Sequence, residues 1–374
     1  MKNFIFTEEQ NEIIKGLKQG KYLDIEINGE KYHVNKNKWF YKYDEVYRYH
    51  KNSNKKVMEN KTFKRPHISD LGFSSTNEFK DFIFKECEKE TGISENILRT
   101  ELSKSNSSKI LEKLSLIWGQ NFDCDELYNN KFYMLETLHC GLHVTSQFGN
   151  DGYMSPNSCC EKLIKTIYQM GLCHRDMDGK SFQVLDLGSG LGITTLFLSL
   201  YLPNSTIYYN EINPPTLNLF KKLIQKSGLK NIKMIDHREG EKLSNLDMVV
   251  GIEFFEHIQK KGSLGDPMLL VDVYTQKLND EGIFIMNTFW DDSKQSIPSL
   301  GHFEDYIFDG VTVNRLDKGN KHPQKMFNEC MKNRGWKKLN NVFWDWRNHG
   351  PNTFVKQDVN YSNPPKEFFM NTHK

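Results

Sequence analysis

From residue 182 onward, short apolar runs alternate with longer amphipathic stretches. Val184, Leu185 and Leu187 make the first run. The pattern predicts strands at 183–187, 206–210, 232–236, 247–252, 282–287, 336–343 and 352–357. Between them it predicts helices at 192–202, 214–227, 268–278 and 321–334, with Gly228 ending the second as a left-handed cap. The last two strands pair antiparallel through the turn at 348–352. Strands alternating with helices over this length imply an α/β layer with a largely parallel sheet.

The first 130 residues do not continue that rhythm. Helices are expected at 8–17, 78–90, 95–102 and 107–118. Between 22 and 34 apolar and polar residues alternate around Asn28-Gly29, a strong hairpin turn signal. A further helix is expected at 132–144, and Ser155-Pro156 opens one that runs to 170 as N-cap and first position. The chain is thus divided into a mixed, mainly helical cap over 1–130 and an α/β domain over 131–374.

The α/β domain opens on Gln183-Val-Leu-Asp-Leu-Gly-Ser-Gly-Leu-Gly192. Strand, Gly-rich turn and helix form the first unit of a nucleotide-binding sheet. Glycines are needed where the backbone turns sharply and approaches a ligand without Cβ atoms in the way. A dinucleotide fingerprint has the spacing G-x-G-x-x-G. Here the spacing is G-x-G-x-G, with Asp186 before it in the strand. Asp-x-Gly-x-Gly-x-Gly resembles motif I of the class I S-adenosylmethionine (SAM)-dependent methyltransferases. The next strand ends in Glu211, 19 residues after Gly192, where a carboxylate can accept both ribose hydroxyls.

The resemblance covers about 150–360. It implies an α/β fold with a Rossmann-like, seven-stranded sheet, and SAM as cofactor. The residues it places at the cofactor are Asp186, Leu187, Gly188, Ser189, Gly190, Gly192, Glu211 and Ile212. Asp236 and His237 end the third strand beside the adenine, and Glu253 ends the fourth. Tyr153 and Ser155, ahead of motif I, are neighbours of cofactor or substrate by the same resemblance.

The fourth strand runs into Glu253-x-x-Glu256-His257, and His302 follows the fifth. In many class I methyltransferases a Glu-His here orients a loop or faces substrate. In the small-RNA 3′-end 2′-O-methyltransferases and, similarly, the ubiquinone-pathway O-methyltransferases, Glu-x-x-Glu-His and a later histidine hold a divalent ion. By that likeness Glu253, Glu256, His257 and His302 form a metal set. Carboxylates with imidazole suit Mg²⁺, Mn²⁺, Fe²⁺ or Zn²⁺. Without an ion, His257 or His302 is left as a simple base for an oxygen nucleophile. An amine only has to be held unprotonated, so O- and N-methylation stay open. No Asn-Pro-Pro-Tyr follows the fourth strand and no Pro-Cys lies there, which sets aside the amino-type and the cytosine-C5 enzymes.

Composition changes this picture little. The 374 residues carry 50 Lys and Arg against 48 Asp and Glu, so no global polyelectrolyte partner is implied. One stretch departs from the balance. Residues 36–65 hold ten Lys or Arg against three Asp or Glu, interleaved with Trp39, Phe40, Tyr41, Tyr43, Tyr47 and Tyr49. That mixture is either a packed aromatic cluster with a solvated basic edge or a platform for single-stranded nucleic acid. His139 and His143 share a helix face without an evident third ligand. The substrate expected is a small molecule under the cap, with RNA 2′-O-methylation or a non-catalytic SAM-binding scaffold as alternatives. Seven scattered cysteines without a CxxC pair, no signal-like N-terminus and no apolar run near 18 residues suggest a soluble protein of a reducing cytoplasm that spans no membrane. The oligomeric state is not legible in the sequence.

Overall fold

The structure, a computed structural model, describes residues 66–102, 148, 151–154, 158–170, 172–177, 179–252, 254–255, 266–287, 305–314, 322–339 and 352–358, and the strand segments 23–27, 30–35, 38–41, 48–49 and 56–57. The expected helices at 8–17, 107–118 and 132–144, with His139 and His143, lie outside these residues.

Near the N-terminus, β1 (Leu23–Ile27) and β2 (Glu30–Asn35) pair antiparallel with Ile27 opposite Glu30; the expected turn residues Asn28 and Gly29 lie outside the described residues. Strand β3 (Lys38–Tyr41) joins β2, and β4 (Arg48–Tyr49) pairs with β5 (Lys56–Val57). The basic aromatic stretch thus contains strands that its composition did not announce.

The central sheet has seven strands: β6 (Gln183–Leu187), β7 (Thr206–Asn210), β8 (Ile232–Ile235), β9 (Leu246–Ile252), β10 (Leu278–Asn287), β13 (Trp336–Lys338) and β14 (Asn352–Lys356). Their spatial order is β13-β14-β10-β9-β6-β7-β8. The five strands from β10 to β8 run parallel. Strand β14 enters antiparallel between β10 and β13. The chain leaves β6 toward β7 and β8 and then crosses back to β9. The crevice between β6 and β9 is therefore a topological switch point, where open α/β sheets hold ligands beyond the strands' carboxyl ends.

Side chains alternate across the sheet because successive residues of a strand point to opposite faces. Val184, Met248, Val250, Ile283, Ile285 and Val355 pack into one core. Leu185, Leu187, Val249, Phe284, Met286 and Phe354 pack into the other. Helices cover both faces, which is why these strands read as nearly continuous apolar runs. On the first face lie α1 (Thr76–Thr91), α2 (Glu95–Leu102), α3 (Cys159–Gln169), α4 (Leu172–Met177), α5 (Ile193–Tyr201) and α6 (Pro214–Ser227). On the second lie α8 (Pro267–Thr275), α9 (Pro323–Asn333) and the hairpin of β11 (Asp305–Phe308) and β12 (Val311–Asn314). Helix α7 (His237–Gly240) is a single turn after β8.

Helix α1 is capped by Ser75, whose hydroxyl accepts from the Glu78 amide, and by Gly92 in a left-handed conformation. Its residues Phe79, Ile83 and Cys87 share a core with Leu219, Phe220 and Leu223 of α6. Lys222 of α6 reaches Glu86 at 2.5 Å and Glu90 at 3.3 Å. Segment 66–102 is therefore part of the helical layer of the sheet's first face.

Several boundaries differ from the sequence reading, among them the end of the sixth strand, β13, which stops at Lys338. Helix α3 starts at Cys159, not at Pro156, because Ser158 is its cap and accepts from the Glu161 amide at 3.0 Å. Helix α8 ends at Thr275, and Leu278 already belongs to β10. The early start of β10 contains a register shift against β9 between Leu278 and Ile283, which hides the strand behind a polar Asn-Asp-Glu segment.

Candidate functional site

The turn after β6 carries three left-handed glycines, Gly188, Gly190 and Gly192, with φ of 56°, 55° and 75°. Side chains rarely adopt that region, and space is also lacking at two of them. A Cβ on Gly188 would stand 2.1 Å from Cδ2 of Phe254, and one on Gly192 would stand 2.0 Å from Cε2 of Phe220. Phe254 follows β9 across the switch point, so the loops of β6 and β9 meet at Gly188.

Three residues hold this turn from below and beside it. Asp186 is buried, on the same strand face as Val184. Its carboxylate accepts from the Thr195 hydroxyl of α5 at 2.5 Å, which ties the strand to the first turn of the helix that follows. Ser189 donates its hydroxyl to the Asp186 carbonyl at 2.7 Å and its amide to the Asn210 carbonyl at 3.0 Å. Tyr209 stacks on Phe220 at 3.8 Å and donates its hydroxyl to the Gly190 carbonyl at 2.6 Å.

Glu211, at the end of β7, is also buried. One carboxylate oxygen accepts from the Gly190 amide at 3.0 Å. The other accepts from the amides of Ile212 at 2.7 Å and Asn213 at 3.1 Å. Burial raises its pKa above the usual carboxylate range, and the three amides oppose the rise. Two ionised oxygens offer about four acceptor positions. Three amides therefore leave room for a hydroxyl donor, and exchange of the Gly190 contact would provide a second. The glycine turn and this carboxylate fit an adenosine ribose laid across the ends of β6 and β7.

Asp236 caps α7. Its carboxylate accepts from the Glu239 amide at 2.8 Å, and Glu239 accepts from the Asp236 amide at 3.0 Å. The structure thus brings Asp186, Leu187, Gly188, Ser189, Gly190, Gly192, Glu211, Ile212 and Asp236 together at the carboxyl ends of β6, β7 and β8. Of these, Asp186 faces the α5 side beneath the turn. His237 is the first residue of α7. Glu253, Glu256, His257 and His302 lie outside the described residues, as does Ser155. Among the described residues no group of three His, Cys, Asp or Glu is placed to hold a metal. Tyr153 is exposed, its ring edge-on to His67 at 4.5 Å. His67 also contacts the Asp151 carbonyl through Nε2 at 3.0 Å. Thr195, Tyr209 and Asn210 were not singled out in the sequence. Asn210 left one faint signal, a polar residue that closes an otherwise β-branched and aromatic strand.

The buried Asp186 carboxyl is predicted to set a pH dependence of stability. Burial pushes its pKa up to about 7, against the hydroxyls of Thr195 and Ser189 and with the charge of Glu211. The folded chain then keeps a proton there that the unfolded chain releases near pH 4. The stability this contributes is full below about pH 4 and is lost as pH rises toward 7. Over that window the loss is on the order of 4 kcal/mol. Asp186→Asn keeps an acceptor for Thr195 and removes the titration. From pH 5 to pH 7.5 the urea midpoint should fall for the native chain and fall clearly less for the variant, in which only the raised Glu211 carboxyl still titrates of this pair. Parallel midpoints would refute the assignment.

No family model matches the chain. The ribosomal RNA small subunit methyltransferase G of Malacoplasma penetrans is 28% identical over 115 residues, covering 30% of this chain and 46% of that protein. The chain therefore matches about half the length of this curated relative. Among solved structures, a SAM-dependent methyltransferase from Aquifex aeolicus aligns at a TM-score of 0.33, 16% identical, over 51% of this chain and 85% of its own. PKMT2 from Rickettsia typhi, in complex with AdoHcy, aligns at a TM-score of 0.25, 23% identical, over 29% and 21%. By strand order and glycine turn, the chain carries a Rossmann-like sheet of the class I methyltransferase type.

Proposed function

We propose that the chain is a SAM-dependent methyltransferase. The observation that carries this reading is the contact of Glu211 with the Gly190 amide, which puts an acidic acceptor against a glycine turn at the switch point. SAM supplies an activated methyl group on a sulfonium, so the protein has mainly to hold, align and exclude water. Gly188, Gly190 and Gly192 let the backbone approach the nucleoside. Glu211 accepts from the ribose, and Asp236 and His237 flank the adenine. In sequence Glu253 and His257 follow β9 and His302 follows β10, and by the resemblance these segments present the nucleophile. There His257 or His302 removes the proton of a hydroxyl substrate. A divalent ion at Glu253, Glu256, His257 and His302 is the finer form of this reading; it would lower the hydroxyl pKa in place of a base.

The substrate proposed is a small molecule with an O or N nucleophile, enclosed by the N-terminal segment. A second reading, RNA, is favoured by the activity named for the M. penetrans relative and by the basic aromatic stretch at 36–65. A single assay separates them. Purified protein and SAM are given a small-molecule extract or ribosomal RNA, and S-adenosylhomocysteine is measured. Product with the extract alone supports the first reading. Product with RNA that falls steeply between 50 and 200 mM salt supports the second. SAM binding without product in either arm leaves a non-catalytic scaffold. In the productive arm, activity lost in chelator and restored by Mg²⁺, Mn²⁺, Fe²⁺ or Zn²⁺ supports the ion. Full activity in chelator ends it.

A further inference from the structure

We propose that Asn210 is a positioning residue that sets purine selectivity, by tying the glycine turn to the loop after β8. The inference rests on the cofactor reading above. Asn210 is the last residue of β7 and directly precedes Glu211. It is buried, where a primary amide is costly unless its polar atoms are satisfied. Its contacts run in two directions. The main chain goes to the glycine turn: the amide donates to Ser189 Oγ at 3.0 Å, and the carbonyl accepts from the Ser189 amide at 3.0 Å. The side chain goes the other way: Nδ2 donates to the Asp236 carbonyl at 3.0 Å.

Gly240, at the end of α7, packs on the same nitrogen. A Cβ there would stand 2.9 Å from Nδ2. Glu211 is proposed to hold the ribose, so the base extends toward β8 and the loop that Asn210 fixes. That loop is otherwise short, a single helical turn capped within itself by Asp236 and Glu239. Losing the Nδ2 donor leaves the sheet and both cores in place and frees the loop to drift. Asp236 is exposed, so water can satisfy its released carbonyl. The expected cost therefore falls on ligand binding rather than on folding.

The test uses the full chain and two probes, S-adenosylhomocysteine and S-inosylhomocysteine, titrated by calorimetry. Asn210→Asp keeps the size and removes the donor; Asn210→Ala controls for the added charge. Both should weaken S-adenosylhomocysteine about tenfold, as loss of one partly buried hydrogen bond does. Both should also shrink the preference for the adenosyl over the inosyl compound toward unity. Melting temperature should move by only a few degrees, and turnover at saturating SAM should stay within about twofold. Gly240→Ala, which displaces the same contact from the other side, should shift selectivity in the same sense. If the native chain binds and discriminates and all three variants match it, Asn210 has no such role. A fall in turnover and melting temperature in step with affinity would mark a structural residue and also overturn the proposal. If the native chain binds neither probe, the cofactor reading fails, an outcome distinct from both.

Discussion

Gly192→Ala is expected to lower stability by about 3 kcal/mol or more, well beyond the ordinary cost of a glycine substitution. Two effects add. The residue sits at φ 75°, where a Cβ costs roughly 1–2 kcal/mol. The new Cβ would also lie 2.0 Å from Cε2 and 2.2 Å from Cδ2 of Phe220. That ring cannot step aside cheaply. It is fully buried among Leu219, Leu223 and Ile193, and Tyr209 is stacked on it. Moving Tyr209 breaks its bond to the Gly190 carbonyl, so strain passes into the turn itself. Gly228→Ala is the matched control. Its φ is 71°, but nothing lies within 4 Å of the added Cβ. It should cost only the conformational part, about 1–2 kcal/mol. Thermal melts of both variants measure the difference, with Gly192→Ala about 6–12 °C below the native chain. Equal melting temperatures would show that the Phe220 contact is not rigid.

Glu211→Gln should raise the SAM dissociation constant by about a hundredfold or more, with little change in fold. The native carboxylate accepts from Gly190, Ile212 and Asn213 and keeps capacity for the ribose. An amide of the same shape has one oxygen. Its NH₂ group must face an amide donor on one side, and the ribose hydroxyls meet a neutral group. Hydrogen bonds to a charged acceptor contribute about 1.5–3 kcal/mol each, and two of them amount to the stated loss. Calorimetry with SAM and S-adenosylhomocysteine reads both ligands. An affinity within threefold of native would remove Glu211 from the cofactor site. Because burial raises the Glu211 pKa, native affinity should also decline as the pH falls through that raised value, a dependence absent from the Gln variant.

The parts of the site legible in the sequence are those where backbone geometry excludes alternatives. Three glycines at alternate positions after an apolar run leave few readings, and all three prove left-handed. Glu211 was legible by its distance from the turn. What was not legible depends on partners far away in sequence. Asn210 matters through Ser189 and Asp236, 21 and 26 residues away. Thr195 matters because Asp186 lies beneath it, and one face of an apolar helix gives no hint of that. Two serines near one helix start are candidate caps in the sequence, and the structure shows Ser158 in that role for α3. Strand β10 was read short because its register shift falls on polar residues.

The place of β14 has a consequence for synthesis. It is the latest of the seven strands in chain order, yet it lies inside the sheet, bonded to β10 on one side and β13 on the other. A nascent chain that has reached residue 340 has made β6 to β10 and can pair them. It has no neighbour for the outer edge of β10, and β13 has nothing to join. Ile283, Phe284, Ile285 and Met286 then form an open apolar edge, the kind that recruits strands from other chains. Translation pausing before residues 352–356 are made would lengthen that exposure, and chaperones that shield strand edges would act in that interval.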